Sequence, residues 1–130
     1  MPVGHESPIS WQPAAADLSA KQYFAVSLGA TGWNLSAANG RAHGVLLNKP
    51  ASGAAAQVHT RAGDVVNAEI AASQTIAVGD LLAVDATGAF KEAAATQVVV
   101  AMALEAVTTA AAQRAVISAI WWGGDVGRVA

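Results

Sequence analysis

The side chains that could perform chemistry are few and are spread along the chain. The sequence contains three histidines and nine acidic residues but no cysteine. Without cysteine the chain has no disulfide, no cysteine–zinc site and no thiol nucleophile. The G-x-S-x-G turn of many serine hydrolases, the P-loop and the dinucleotide fingerprint are also absent. The residues therefore predict that the protein is not an enzyme.

One metal site can be assembled from the donors that the sequence offers. His43, His59 and Asp64 carry the nitrogen and oxygen atoms that zinc accepts, but their spacing is not that of a local ligand pair. An imidazole at the surface or in a hydrogen bond is the commoner state of such histidines. We therefore expect no metal and no other cofactor.

Paired carboxylates could support general acid–base catalysis. The candidates are Glu69, Asp80, Asp85, Glu92 and Glu105. Asp80 and Asp85 have the surroundings of turn residues. Glu105 interrupts an apolar segment, where it could face solvent or cap a sheet edge, and we predict that it pairs with Arg114 across a hairpin.

The composition favours a surface that contacts other proteins. Hydrophobic residues make up 54% of the chain and charged residues 12%, whereas an ordinary soluble domain has roughly 25% charged residues. Contiguous apolar patches usually mark partner sites, and richness in alanine is the alternative explanation of this composition. The net charge is −2 and no run of Lys or Arg occurs, so a nucleic-acid footprint is missing.

The sequence also argues against a membrane or a secretory route. No apolar stretch approaches the roughly 20 residues of a membrane helix. The first residues, MPVGHESPIS, lack the basic and apolar regions of a signal peptide. We therefore expect synthesis in a cytoplasm and no membrane partner.

The elements that position these residues are short strands separated by turns. Phe24, Val26 and Leu28 alternate with more polar residues, which is the pattern of a half-buried strand. Asn39-Gly40 is a hairpin dipeptide. A Gly-Asp turn precedes apolar residues at three places: Gly63-Asp64, Gly79-Asp80 and Gly124-Asp125.

These signals predict a mainly β fold, a small antiparallel β-barrel or sandwich. Ala93–Gln97 and Ala110–Arg114 could each form a helical turn, so we allow at most one or two short helices. About eight strands would form a single β-rich domain over residues 17–130.

Residues 1–16 predict an extended N-terminal arm. Pro2, Pro8 and Pro13 favour extended backbone, and Ile9 and Trp11 lie between the last two of these prolines. Such an arm is usually disordered unless it is held. The two apolar residues therefore either pack on their own domain or dock on a partner.

Tryptophans provide the remaining candidate contacts. Trp121 and Trp122 are adjacent, so on a strand their rings point to opposite faces, one into the core and one out of it. Trp is enriched among the residues that dominate interface energies. The candidate interface with a partner or another subunit comprises Ile9, Trp11, Trp33, Trp121 and Trp122.

Several segments resemble the small decoration (cement) proteins of tailed-bacteriophage capsids. They are Asp17–Val26 (DLSAKQYFAV), Gly44–Pro50 (GVLLNKP), Ile76–Gly88 (IAVGDLLAVDATG) and Ala101–Ala106 (AMALEA). The likeness covers about residues 17–120 and is one of strands and turns. Trp121-Trp122 and the proline-spaced arm depart from the family's pattern.

The resemblance implies a barrel-like homotrimer that binds the major capsid protein. It would be made in the bacterial host cytoplasm, lie on the outer surface of the phage head at local three-fold positions and stabilise the shell. It implies no catalytic residue. Two other classes stay open: a different virion structural β-module of the tail or baseplate, and a small carbohydrate- or ligand-binding barrel.

Overall fold

A computed structural model describes residues 9–123, and this part of the chain forms twelve short β-strands and no helix. The predicted mainly β fold is confirmed. The strands are β1 (Ile9–Ser10), β2 (Ala25–Gly29), β3 (Gly32–Leu35), β4 (Gly44–Leu46), β5 (Val58–His59), β6 (Val65–Ile70), β7 (Thr75–Ile76), β8 (Leu81–Val84), β9 (Phe90–Glu92), β10 (Ala101–Ala103), β11 (Val107–Thr108) and β12 (Ala115–Trp121). Nothing within residues 9–123 is a helix of the length and apolarity needed to cross a bilayer.

In the described chain, five strands close into a barrel in the order β10-β12-β6-β9-β8. The longest pairing is antiparallel and joins Ala115–Ile120 of β12 to β6. The ring closes through one parallel pair, in which Ile70 lies beside Phe90. The predicted antiparallel arrangement therefore holds at the other four junctions of this ring and not at β6–β9.

Apolar side chains fill the barrel because they alternate along its strands. In β12, Ile117, Ala119 and Trp121 are buried, while the residues between them are at least partly exposed. Trp121 and Phe90 are the two largest fully buried side chains of the barrel. Since full burial of one Leu, Ile or Phe side chain contributes about 1.5–3 kcal/mol, this core holds the ring together.

The second sheet has the order β1-β5-β4-β2-β3 and a core of its own. At one edge β1 pairs with β5. At the other edge, the Trp33 N–H donates to the Pro13 carbonyl at 2.8 Å and the Ala15 N–H donates to the Trp33 carbonyl at 2.7 Å. The segment 9–15 therefore bridges both edges of the sheet. The two alternatives for the arm were packing on its own domain and docking on a partner. The backbone of residues 9–15 packs on its own sheet. Residues 1–8 lie outside the described part.

Gly32 makes the close approach of this N-terminal segment possible. Its φ is +129°, in the region that side chains rarely adopt, and a Cβ there would lie 2.2 Å from the Pro13 carbonyl oxygen. No side chain fits without moving the backbone of residues 13–15.

Asn39 joins the second sheet to the barrel. Its backbone N–H donates to the Val84 carbonyl at 2.8 Å, and its side-chain Oδ1 accepts from the Val98 N–H at 2.6 Å. Asn39 has a φ of 53°, which asparagine tolerates better than most residues. The prediction of a tight hairpin at Asn39-Gly40 is wrong, because β3 and β4 on either side of it both pair with β2 and not with each other. The turn there links the second sheet to the barrel.

The other predicted turns have mixed outcomes. Gly63-Asp64 and Gly79-Asp80 directly precede β6 and β8, as predicted, and Gly124-Asp125 lies outside the described residues. Ala93–Gln97 and Ala110–Arg114 form turns in place of helical segments. Positive φ values of 68° at Thr96 and 62° at Ala112 interrupt any helix there.

Candidate protein-interaction surfaces

Of the three side chains considered for a metal site, His59 and Asp64 are in contact and His43 bonds elsewhere. His43 Nδ1 accepts a hydrogen bond from the Leu28 N–H at 2.9 Å. His59 Nε2 lies 3.1 Å from Asp64 Oδ2, close enough for an ion pair but without the alignment of a hydrogen bond. Within residues 9–123, no three His, Asp or Glu side chains are arranged to hold a metal ion.

The acidic residues have structural contacts. Asp80 Oδ2 accepts from the Ala77 N–H at 2.8 Å, and Asp85 Oδ1 accepts from the Thr87 N–H at 2.7 Å, so both are turn residues as predicted. The predicted pair between Glu105 and Arg114 is replaced by other contacts.

Glu105 and Arg114 lie in different environments. Glu105 Oε1 accepts from the Ser118 N–H at 2.6 Å, which continues the β10–β12 pairing with a side chain. The Arg114 guanidinium lies 5.3 Å from the centroid of the Phe24 ring. A backbone donor near Glu105 and an aromatic face near Arg114 therefore take the place of the expected ion pair.

The residues predicted for the interface differ in how far they are buried. Trp33 and Trp121 are buried in the cores of the sheet and the barrel, so their rings offer no surface to a partner. Trp122 directly follows β12 and is half-buried, whereas its neighbour Trp121 is fully buried. Ile9 lies in β1, and its side chain is outside what the structure describes. Trp11 is 59% exposed.

Trp11 is displayed on a backbone that is held on both sides. Ser10 before it belongs to β1, and the carbonyl of Gln12 after it accepts from the Ala56 N–H at 3.0 Å. The neighbouring loop, residues 51–55, consists of small exposed residues and is linked to Pro13 by a β-bridge. Because this backbone is already ordered, docking of the indole ring costs less conformational entropy than docking of a free arm.

A second surface lies on the outside of the barrel and was not predicted. Across β8, β10, β12 and β6, Leu81 is paired with Met102, Met102 with Ile120, and Ile120 with Val65. Val65 is 62% exposed and Leu81 is 36% exposed, while Met102 and Ile120 are half-buried. Directly opposed side chains in antiparallel strands have Cβ atoms about 4.5–5.5 Å apart, so these residues form one continuous apolar row. We call these four residues the barrel row.

Further apolar side chains extend the barrel row along β12. Trp122 follows the strand and is half-buried, and its N–H donates to the Val100 carbonyl at 2.9 Å. Val116 is exposed on the same face of β12 as Ile120. On β6 the residues that follow Val65 outward are Asn67 and then Glu69, and beside β12 the Glu105 carboxylate accepts from the Ser118 N–H. Charged side chains therefore flank the row without belonging to it.

The sequence contains the signal that predicts the barrel row. Val65-Val66 and Leu81-Leu82 are adjacent apolar pairs, and on a strand one member of each pair must face outward. The same argument that separated Trp121 from Trp122 would have identified Val65 and Leu81. This argument does not provide the strand order, and the strand order is what places the outward members of the pairs side by side.

Comparison with protein-family models and with curated proteins gave no match. The assignment of the surfaces therefore rests on their geometry: Trp11 on the second sheet and the barrel row on the outer face of the barrel.

Proposed function

We propose that this protein is a structural decoration protein that binds the major capsid protein on the outer surface of a phage head and stabilises the shell, as a homotrimer at local three-fold positions. The observation that carries the proposal is Trp11, an exposed indole on a backbone held by hydrogen bonds. The all-β fold and the segments that resemble capsid decoration proteins support it.

Trp11 has the properties of an interface anchor. A tryptophan buries about 150–250 Å² when a partner covers it, and interfaces often depend on a few such residues. The small side chains of residues 51–55 let a partner's backbone come close beside the ring. This combination suits a flat protein surface such as a capsid exterior.

Three linked copies would bind the shell more strongly than a single copy. Each trimer presents three Trp11 rings to neighbouring capsid subunits, and such multivalency raises apparent affinity by about 10²–10⁴-fold. Because the trimer binds the assembled lattice and not free subunits, it shifts the equilibrium towards the closed shell.

The test compares Trp11→Ala with a matched surface truncation, Leu28→Ala. Leu28 is 43% exposed on the same sheet, so neither change opens a core. In co-sedimentation with undecorated shells, Trp11→Ala should bind at least about tenfold more weakly, since truncating a central anchor costs about 2 kcal/mol or more. Leu28→Ala should bind like the wild type.

Two results would contradict the proposal. If the wild-type protein does not bind shells, the decoration function is wrong. If Trp11→Ala saturates shells like the wild type, Trp11 is not the anchor. A point substitution is preferable to deletion of residues 1–14, because that deletion removes β1 and the buried Ala14.

The remaining classes are distinguished by simple measurements. A tail or baseplate module would assemble into rings of a different native mass. A ligand-binding barrel has less support, because Trp121 and Phe90 fill the barrel interior.

A further inference from the structure

We propose that the barrel row is the surface through which copies of this chain associate, so that the outer faces of β8, β10, β12 and β6 meet around the symmetry axis of the oligomer. The inference rests on the proposed function for the trimer, and its test needs no capsid. It assigns self-association to the barrel and leaves Trp11, on the other sheet, for a different protein.

The chemistry of the barrel row favours another copy of the same chain as the occupant. The four residues are Leu, Met, Ile and Val, and the half-buried Trp122 comes two positions after Ile120. The cores of homo-oligomer interfaces are more apolar than those of transient complexes, are depleted in charge and are enriched in Met and aromatic residues. No charged side chain belongs to the row, so a nucleic acid or a strongly charged protein finds nothing there to recognise.

The extent of the surface fits the centre of a stable interface. The row crosses four strands, and three inter-strand spacings of about 4.8 Å make it about 14 Å wide. Stable interfaces bury about 800 Å² on each partner, with a few central residues providing most of the energy. The row supplies such a centre, and the neighbouring polar residues Asn67 and Ser118 suit its rim, with Val116 beyond Ser118 on β12.

The symmetry of the assembly is compatible with this surface. In a cyclic oligomer, equivalent side chains of every copy can meet around one axis. Met102 and Ile120 are in the middle of the row, so they would lie nearest to the neighbouring copies. The exposed ends, Val65 and Leu81, would flank them.

The first experiment measures native mass by sedimentation for the wild type, Val65→Lys and Leu81→Lys. Both positions are already exposed, so lysine is tolerated in the folded chain. In an apolar interface a lysine leaves an unpaired charge, and we expect the association constant to fall by about 100-fold or more. The control is Leu28→Lys, an exposed leucine of the other sheet, which should remain oligomeric.

The second experiment reads proximity directly and does not depend on weakened association. The chain has no cysteine, so Met102→Cys introduces a single reactive thiol. A short bismaleimide should crosslink Met102→Cys between copies in high yield and should leave Leu28→Cys uncrosslinked.

A wild-type protein that stays monomeric at about 100 μM would overturn the inference, as would an oligomer that both lysine variants leave intact. The proposed function can fail separately. Suppose that Val65→Lys is a folded monomer while the wild-type oligomer does not bind shells. That result would support self-association through the row and would contradict capsid decoration.

Discussion

At the residue scale, charged side chains cover the joint between the barrel and the second sheet. Phe24 is buried against Ala71 and Ala89. The Lys21 ammonium lies 5.0 Å and the Arg114 guanidinium 5.3 Å from the centroid of its ring. Each such cation–π contact contributes about 0.5–1 kcal/mol near a surface. Lys21 and Arg114 therefore serve the packing of the chain itself at this joint.

Glu69 lies beside this joint and makes stability depend on pH. Burial raises the pKa of the Glu69 carboxyl above its ordinary value of 4.5, and the charge of Arg114 opposes the shift without cancelling it. The folded chain therefore holds this proton more tightly than the unfolded chain does. The contribution of Glu69 to stability is fully present below pH 4.5 and is lost as pH rises through the raised pKa.

Glu69→Gln tests this dependence. Urea denaturation should show wild type and variant with similar free energies of unfolding near pH 4, and the wild type less stable than the variant near pH 7. Glu92→Gln, which changes an exposed carboxylate, is the control for a general charge effect. An equal difference between wild type and Glu69→Gln at both pH values would contradict the assignment.

At the element scale, the N-terminal segment is a structural part of the second sheet. It pairs with β5 through Ile9–Ser10 and exchanges hydrogen bonds with Trp33 of β3. Ala14 enters the core beside Trp33 and Leu18. The same segment that displays Trp11 therefore also completes a hydrophobic core, which fixes the backbone on either side of the exposed ring.

Gly32→Ala tests how much this closure contributes. A Cβ at Gly32 meets the Pro13 carbonyl, whereas at Gly53, with a φ of +83°, it meets nothing within 4 Å. Gly53→Ala should cost only the backbone strain, about 1–2 kcal/mol. Gly32→Ala should cost more in thermal or urea denaturation, because it also displaces residues 13–15. Equal losses would show that the close approach contributes nothing.

At the scale of the whole molecule, the two sheets are joined by backbone and side-chain hydrogen bonds. The Ala25 N–H donates to the Gly88 carbonyl at 2.9 Å, and the Glu69 N–H donates to the Tyr23 carbonyl at 3.0 Å. Asn39 adds its contacts to Val84 and Val98. We therefore expect the barrel and the second sheet to unfold in one transition.

Asn39→Gly tests this junction. Glycine keeps the positive φ but removes the acceptor for the N–H of buried Val98, which should cost about 1–3 kcal/mol. Asn39→Asp retains an acceptor oxygen and should stay closer to the wild type in urea denaturation. If the two variants are equally stable, the side-chain contact to Val98 does not hold the sheets together.

The two surfaces are built on different sheets, and this arrangement suits the proposed function. Trp11 belongs to the second sheet, and the barrel row belongs to the outer face of the barrel. Copies can therefore associate through one surface while the other remains available for a capsid. A low content of charged residues, 12%, is what a chain with two apolar contact surfaces is expected to show.

The sequence by itself determined the class of the fold and two of its Gly-Asp turns. The Gly-Asp turns before β6 and β8 depend on neighbouring residues, so their physics is visible in a short window. The strand predicted over residues 24–28 forms as β2, but its burial does not alternate, because Ala25 is buried and Leu28 is exposed. Strands of two residues, such as β7 and β11, were missed because they show no periodicity.

Only the tertiary structure decided which apolar residues are buried and which are displayed. Trp33 is buried because residues 13–15 return to it, and Ile70 lies beside Phe90 because the ring closes there. Leu81, Met102, Ile120 and Val65 become one surface because β8, β10, β12 and β6 are neighbours. These contacts join segments that are far apart in the chain, and their free energy is gained only when the whole barrel closes.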